Sequence, residues 1–172
     1  MKKFLLPLLI VLGFVAGLSS CSSKTEISAV AYNDSLVVQQ IAVVDATARL
    51  QEVLETYVKG DMQTMLGRMQ GQINLSLAKS EAMGSYNNDA SFKDATLTFI
   101  RTYQELAQDE YRRAVQLLSK PDSLYSPSDD AQVEKIYAEI NMVTKEAADD
   151  YEKAQQTFAL KYEYKPKAKN KK

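Results

Sequence analysis

The chain has 172 residues, 45% of them hydrophobic and 25% charged, with a formal net charge of −1. That is enough for one domain with a real core, and it excludes a wholly disordered, collagen-like or disulfide-stapled chain. With no histidine and one cysteine, it lacks the commonest transition-metal ligand, the usual neutral-pH general base and the usual haem ligand.

The first predicted element is an address. Lys2 and Lys3 precede an apolar run over residues 4–18, interrupted by Pro7, Gly13 and Gly17. Fifteen residues is short for a bilayer span of roughly 20, and the order basic, apolar, small is that of a secretory signal. The alternative is an N-terminal membrane helix with an incidental cysteine. The run closes in Leu18-Ser19-Ser20-Cys21, which resembles the lipobox of bacterial lipoproteins: an aliphatic residue, two small residues, then Cys. The resemblance implies cleavage before Cys21, a diacylglyceryl thioether on its sulfur and acylation of its new amino group. Ser22, not Asp, follows the cysteine, which in double-membrane bacteria implies sorting to the outer membrane, on a face the sequence does not specify. Residues 1–20 are thus expected to be a signal peptide and 21–25 a lipidated tether.

The remainder predicts an all-α fold, an elongated up-down-up-down four-helix bundle over residues 26–162. Asn, Gly and Pro cluster in only three places, and no segment sustains a period of two. The first helix is expected over residues 26–59, with Val30, Val37, Ile41, Val44, Ala48, Leu54 and Tyr57 on its apolar stripe. Gly60 should supply the left-handed closing residue and Asp61 the next cap. The second helix should carry Met62, Leu66, Met69, Ile73, Ser76 or Leu77, Ser80 and Met83 inward, until the stretch 86–89 breaks it. Asp89 or Ser91 then caps a third, with Phe92, Thr96, Phe99, Tyr103, Leu106, Ala114 and Leu117, ending at Lys120-Pro121. Ser128 should cap the fourth, with Asp129 and Asp130 in its first turn where the helix dipole favours anions. Its stripe of Val133, Tyr137, Ile140, Thr144, Ala147, Tyr151, Ala154 and Phe158 alternates by four and three, the period of left-handed bundle packing. Antiparallel order places Cys21 and the C-terminal tail at one end, and the Gly60 turn and the 120–127 loop at the other.

Charge is segregated: residues 21–160 carry a net −8 and residues 161–172 a net +5. Residues 163–172 read as a basic disordered tail. Lys165, Lys167, Lys169, Lys171 and Lys172 would suit anionic headgroups at about 1 kcal/mol per Lys near the surface, or an anionic cell-wall polymer, or simply solvation. Nucleic acid does not fit a secreted and otherwise acidic chain. The terminal Lys171-Lys172, with the lipobox, resembles the murein lipoprotein family, whose C-terminal lysine is joined to peptidoglycan; a long bundle departs from that family's single-helix form. Tyr32-Asn33-Asp34 followed by Ser35-Leu36-Val37 is similar to a motif of small helical bacterial surface lipoproteins that have no assigned activity. Asp34 either bends an exposed helix start or lies buried against a cation or a tyrosine hydroxyl.

Gly67 and Gly71 cost roughly 1 kcal/mol each in a helix interior, which implies either close approach of a neighbouring helix or a small pocket. Met62, Met65, Met69 and Met83 suit flexible core filling better than a copper(I) site. The pairs Asp109-Glu110, Asp129-Asp130 and Asp149-Asp150 read as helix surfaces or caps, and a diiron site would need Glu-x-x-His pairs. There is no Gly-x-Ser-x-Gly and no phosphate-binding glycine loop. No catalytic residue, metal site or cofactor is therefore expected. Leu124 and Tyr125, between two prolines at the tip, either anchor a partner protein or fold back over the open end of the core. The expected function is a non-catalytic binding or scaffolding role for a protein lipid-anchored in the bacterial cell envelope. The alternative is a carrier of a small molecule or metal with a cavity inside the bundle.

Overall fold

The computed structural model describes residues 27–165 as an all-α bundle. Its helices are α1 (Ala29–Glu55), α2 (Lys59–Ala82), α3 (Ser91–Gln108), α4 (Glu110–Leu118) and α5 (Pro127–Lys161), with a 3-10 turn at Asp122–Leu124. The signal peptide, Cys21, the tether and Lys167, Lys169, Lys171 and Lys172 lie outside the described residues. No described helix is long and apolar enough to cross a membrane.

α2 buries the stripe that its sequence predicts: Met62, Leu66, Met69, Ile73, Ser76, Leu77 and Ser80. The third and fourth bundle helices agree nearly as well, with Phe92, Thr96, Phe99, Tyr103, Leu106, Val133, Ile140, Tyr151 and Phe158 all buried. The predicted third helix is, however, two helices in line. Backbone angles at Asp109 (φ −119°, ψ −76°) break it. Next to the break, the carbonyl of Ala107 accepts from Gln70 Nε2 (3.3 Å) and that of Gln108 from Arg112 Nε (2.7 Å). Side chains competing for helix carbonyls are a recognised cause of kinks.

Most of α1 is turned by one residue, about 100°, from its predicted stripe. Tyr32, Leu36, Gln40, Val43, Thr47 and Leu50 point inward together with the expected Leu54, while Val30, Ile41, Val44, Ala48 and Tyr57 are exposed and Val37 is half-buried. Both sets follow three/four spacing, so period alone does not choose between them. The bulk of Tyr32 and three leucines on one side does, because those side chains remove more area from water than the β-branched set. Thr47 is accommodated because its hydroxyl donates to the Val43 carbonyl (2.9 Å). Asn33, not Asp34, is the buried polar residue there; its Oδ1 accepts from Gln155 Nε2 of α5 (2.9 Å).

The end that holds the start of α1 and the end of α5 is closed by aromatic rings. Tyr86 sits 5.3 Å from Tyr32, 5.6 Å from Phe158 and 4.8 Å from Tyr162, measured between centroids. Asn87 and Asn88, at φ 47° and 60°, turn the chain between the paired Tyr86 and Asp89. Two consecutive left-handed residues make this the type I′ turn usual in β-hairpins, and asparagine tolerates it. Asp89 then ties the turn down: it accepts from Lys161 Nζ (2.7 Å), the Tyr162 hydroxyl (3.3 Å) and the Ser91 amide (2.9 Å). Folded structure extends to Tyr164, which packs half-buried against the core, so the expected tail boundary at 163 is two residues too early.

Candidate functional site

The opposite end is built from the α1–α2 turn and the 119–127 loop. α1 closes with Val58 N donating to Val53 O (3.3 Å) and Tyr57 N to Leu54 O (3.4 Å). This is the Schellman arrangement, in which glycine normally takes the left-handed position. Here Tyr57 takes it, at φ 53°, and Gly60, expected to do so, lies inside the first turn of α2 without a positive φ. The left-handed conformation costs a bulky residue about 1–2 kcal/mol. Tyr57 stands outward at 57% exposure, beside Val58 at 45%.

Two lysines fix the facing loop. Lys59 Nζ donates to the Lys120 carbonyl (2.8 Å) and pairs with the Asp122 carboxylate, bridging the two connections. Lys120 Nζ reaches the buried Asp129 (2.7 Å). Asp129 also accepts from the Ser126 amide (3.0 Å) in a capping box, and Pro127 opens the helix, so the cap is Ser126 and not Ser128. The Lys120 ammonium, then the Ser126 amide, hold the Asp129 carboxyl below the usual range.

Leu124 and Tyr125 separate under this geometry. Tyr125 is half-buried against the core and donates its hydroxyl to Asp130 (2.8 Å); burial, then that bond, pushes its phenol up to about 12. It covers the open end. Leu124 is 68% exposed at the same end of the bundle as the exposed Tyr57 and Val58, the latter also lining the groove between α1 and α2. Tyr57, expected on the buried stripe of the first helix, is instead exposed here because it takes the left-handed position after α1; Val58 carried no sequence expectation, and the adjacent aromatic-aliphatic pair was the available signal.

The remaining features are not brought to this site. Lys165, the one tail lysine described, is exposed at the aromatic end. Gly67 and Gly71 face open space on the outside of α2, where an added Cβ meets nothing within 4 Å. Neither close helix approach nor a pocket accounts for them. A groove of about 620 Å³ runs between α1 and α2 past Arg49, Glu52, Met65 and Arg68 and is open along one side. A smaller one of about 380 Å³ lies between α3 and α5 over Phe99, Val143, Ala147 and Tyr151, with Glu146 and Asp150 at its edge. Among the described residues no three carboxylates or cysteines gather where they would hold a metal ion. Asp109, Asp149 and Asp150 are exposed, whereas Asp129 is buried and paired.

Fold and site together define an all-α bundle with one sealed end and one apolar tip. No protein-family model, curated protein or solved structure matches the chain.

Proposed function

We propose that this is a lipid-anchored protein of the bacterial cell envelope, a non-catalytic binder or scaffold whose tip meets a protein partner. The observation that carries the reading is the tip itself: Leu124, Tyr57 and Val58 stand exposed on connections that Lys59 and Lys120 pin in place. Exposed apolar side chains on a preorganised loop bind at low ordering cost. The sequence-derived tether at Cys21 would put the aromatic end toward the membrane and this tip away from it. The basic tail, beginning at Lys165, would then lie on the membrane side, within reach of an anionic surface.

The carrier alternative loses its starting point, because Gly67 and Gly71 open outward. Cross-linking in intact envelopes tests the binding reading. A protein partner captured through Lys59 or Lys120, and lost in a Leu124→Asp, Tyr57→Asp double variant, is the expected result. Capture that is unchanged in the double variant overturns it. Cys21→Ser should move the protein to the soluble envelope fraction; retention in the membrane overturns the anchor.

A further inference from the structure

The two ends of the bundle differ in charge as well as in cover. On the tip connections, and within one turn of the helix ends they join, stand six carboxylates: Glu52, Glu55, Asp61, Asp122, Asp129 and Asp130. The cations there are Lys59 and Lys120, which leaves a net −4. The same count at the sealed end, over the described residues, gives four charges of each sign. Both tip lysines are committed within the chain, Lys59 to Asp122 and Lys120 to Asp129. Glu52, Glu55 and Asp61 are exposed and meet no cation among the described residues, and the exposed Asp130 accepts only the Tyr125 hydroxyl. The next cations, Arg49, Arg68, Arg113 and Lys135, lie more than a turn down their helices.

The carboxylates lie beside the exposed ring. Burial, then Asp130 and Tyr57, raise the Tyr125 phenol, and burial, then Tyr57 and Glu55, raise that of Tyr137. Tyr57 is thus within electrostatic reach of both phenols, with Glu55 and Asp130 next to them. We propose that the partner presents a basic segment to this tip, with a Lys or Arg side chain over the Tyr57 ring and its charge toward Glu55 and Asp130. The inference rests on the tip as the contact surface and names the chemistry of what it contacts. A cation arriving here meets carboxylates that no base of the chain neutralises, so it displaces no internal salt bridge. An aromatic ring that is 57% exposed offers its negative face to the same charge. The aliphatic stem of Lys or Arg can cover apolar groups such as Val58 and Leu124 while its head stays in water. An acidic partner or an anionic bilayer would be repelled by the net −4.

The test uses the full chain in a non-ionic detergent and two short fluorescein-labelled peptides of the same leucine pattern, one with lysine and one with glutamate at the remaining positions. Fluorescence anisotropy is expected to show the lysine peptide binding several-fold more tightly, with an affinity that falls as salt rises. Glu55→Gln with Asp130→Asn should lower that affinity several-fold while circular dichroism stays unchanged. Asp149→Asn with Asp150→Asn, which removes two exposed carboxylates from α5, should leave it unchanged. Equal affinity of the two peptides overturns the inference, and so does an equal loss from the two double variants. The tip itself is read separately, by cross-linking in envelopes. Capture that needs Leu124 and Tyr57, yet is unchanged in Glu55→Gln with Asp130→Asn and at raised salt, keeps the tip and overturns its basic partner. Capture indifferent to all four residues overturns the tip as the contact surface and this inference with it.

Discussion

The two ends of the bundle solve the same problem differently. Both must cover the open mouth of a helical core and tie down a connection between helices. At one end the cover is Tyr32, Tyr86, Phe158 and Tyr162, and a single carboxylate, Asp89, holds the turn. At the other, Tyr125 alone covers, lysines hold the backbone, and three apolar side chains remain outside. The first end spends its aromatic surface inward and is a seal. The second keeps part of it outward and is a contact surface. Rigidity is common to both; only the direction of the apolar groups differs.

The largest effect should come from breaking the seal. Phe158→Ala removes a fully buried ring that meets Tyr32, Tyr86, Phe92 and Tyr162, and is expected to cost about 3–5 kcal/mol in denaturant unfolding. Leu124→Ala at the tip should stay within about 0.5 kcal/mol while weakening partner capture. Equal losses at both sites would erase the distinction between seal and contact surface.

Gln40→Met should sharpen the contrast within α1, where a core position carries a polar group with an unbonded oxygen. An apolar side chain of similar length is expected to raise stability by about 1 kcal/mol, read as an increased Tm. A lower Tm would mean that the amide makes a contact worth keeping.

Acid should weaken the seal. The Lys161 ammonium, then the hydroxyl and amide of Ser91, hold the Asp89 carboxyl well below the usual carboxylate range. Its contribution is therefore complete above the ordinary aspartate pKa of about 3.9 and is lost as pH falls through the lower, folded-state value. Asp89→Asn should flatten the decline in stability below pH ~4; an unchanged acid limb would exclude Asp89 as its source.

A substitution at Tyr57 separates strain from function at the tip. Tyr57→Gly relieves a left-handed tyrosine that makes little packing contact, offset by about 0.5–1 kcal/mol of added chain entropy. Stability should rise or hold to within about 1 kcal/mol while partner capture falls. A clear loss of stability would show that the ring packs.

Much of this fold is legible in the sequence, and the failures have physical causes. The α2 stripe reads directly because Gly67, Gly71 and Ala78 leave its outer face with Leu75 as its one large exposed aliphatic side chain. α1 misleads because it carries two apolar stripes and the one with more β-branched residues lies outside. The Asp109 break is hard to read because one of the side chains that bond the carbonyls beside it, Gln70, is on another helix, 37 residues from the Ala107 it meets. At the site, Leu124 and Tyr125 could be placed at the tip, but which of them turns inward depends on Asp130 and the core beneath. The left-handed Tyr57 defeats any reading that gives such positions to glycine.

The aromatic network also determines how this protein reports on itself. With ten tyrosines and no tryptophan, tyrosine is the main intrinsic fluorophore. Six of the ten, Tyr32, Tyr86, Tyr103, Tyr151, Tyr162 and Tyr164, have rings in mutual contact or against Phe92, Phe99 and Phe158 in the half of the bundle nearest the seal. Intrinsic emission and near-ultraviolet dichroism are thus weighted toward one half, whereas far-ultraviolet dichroism samples every helix. Coincident melting of the two signals would mark the bundle as a single cooperative unit; separation would show one half opening before the other.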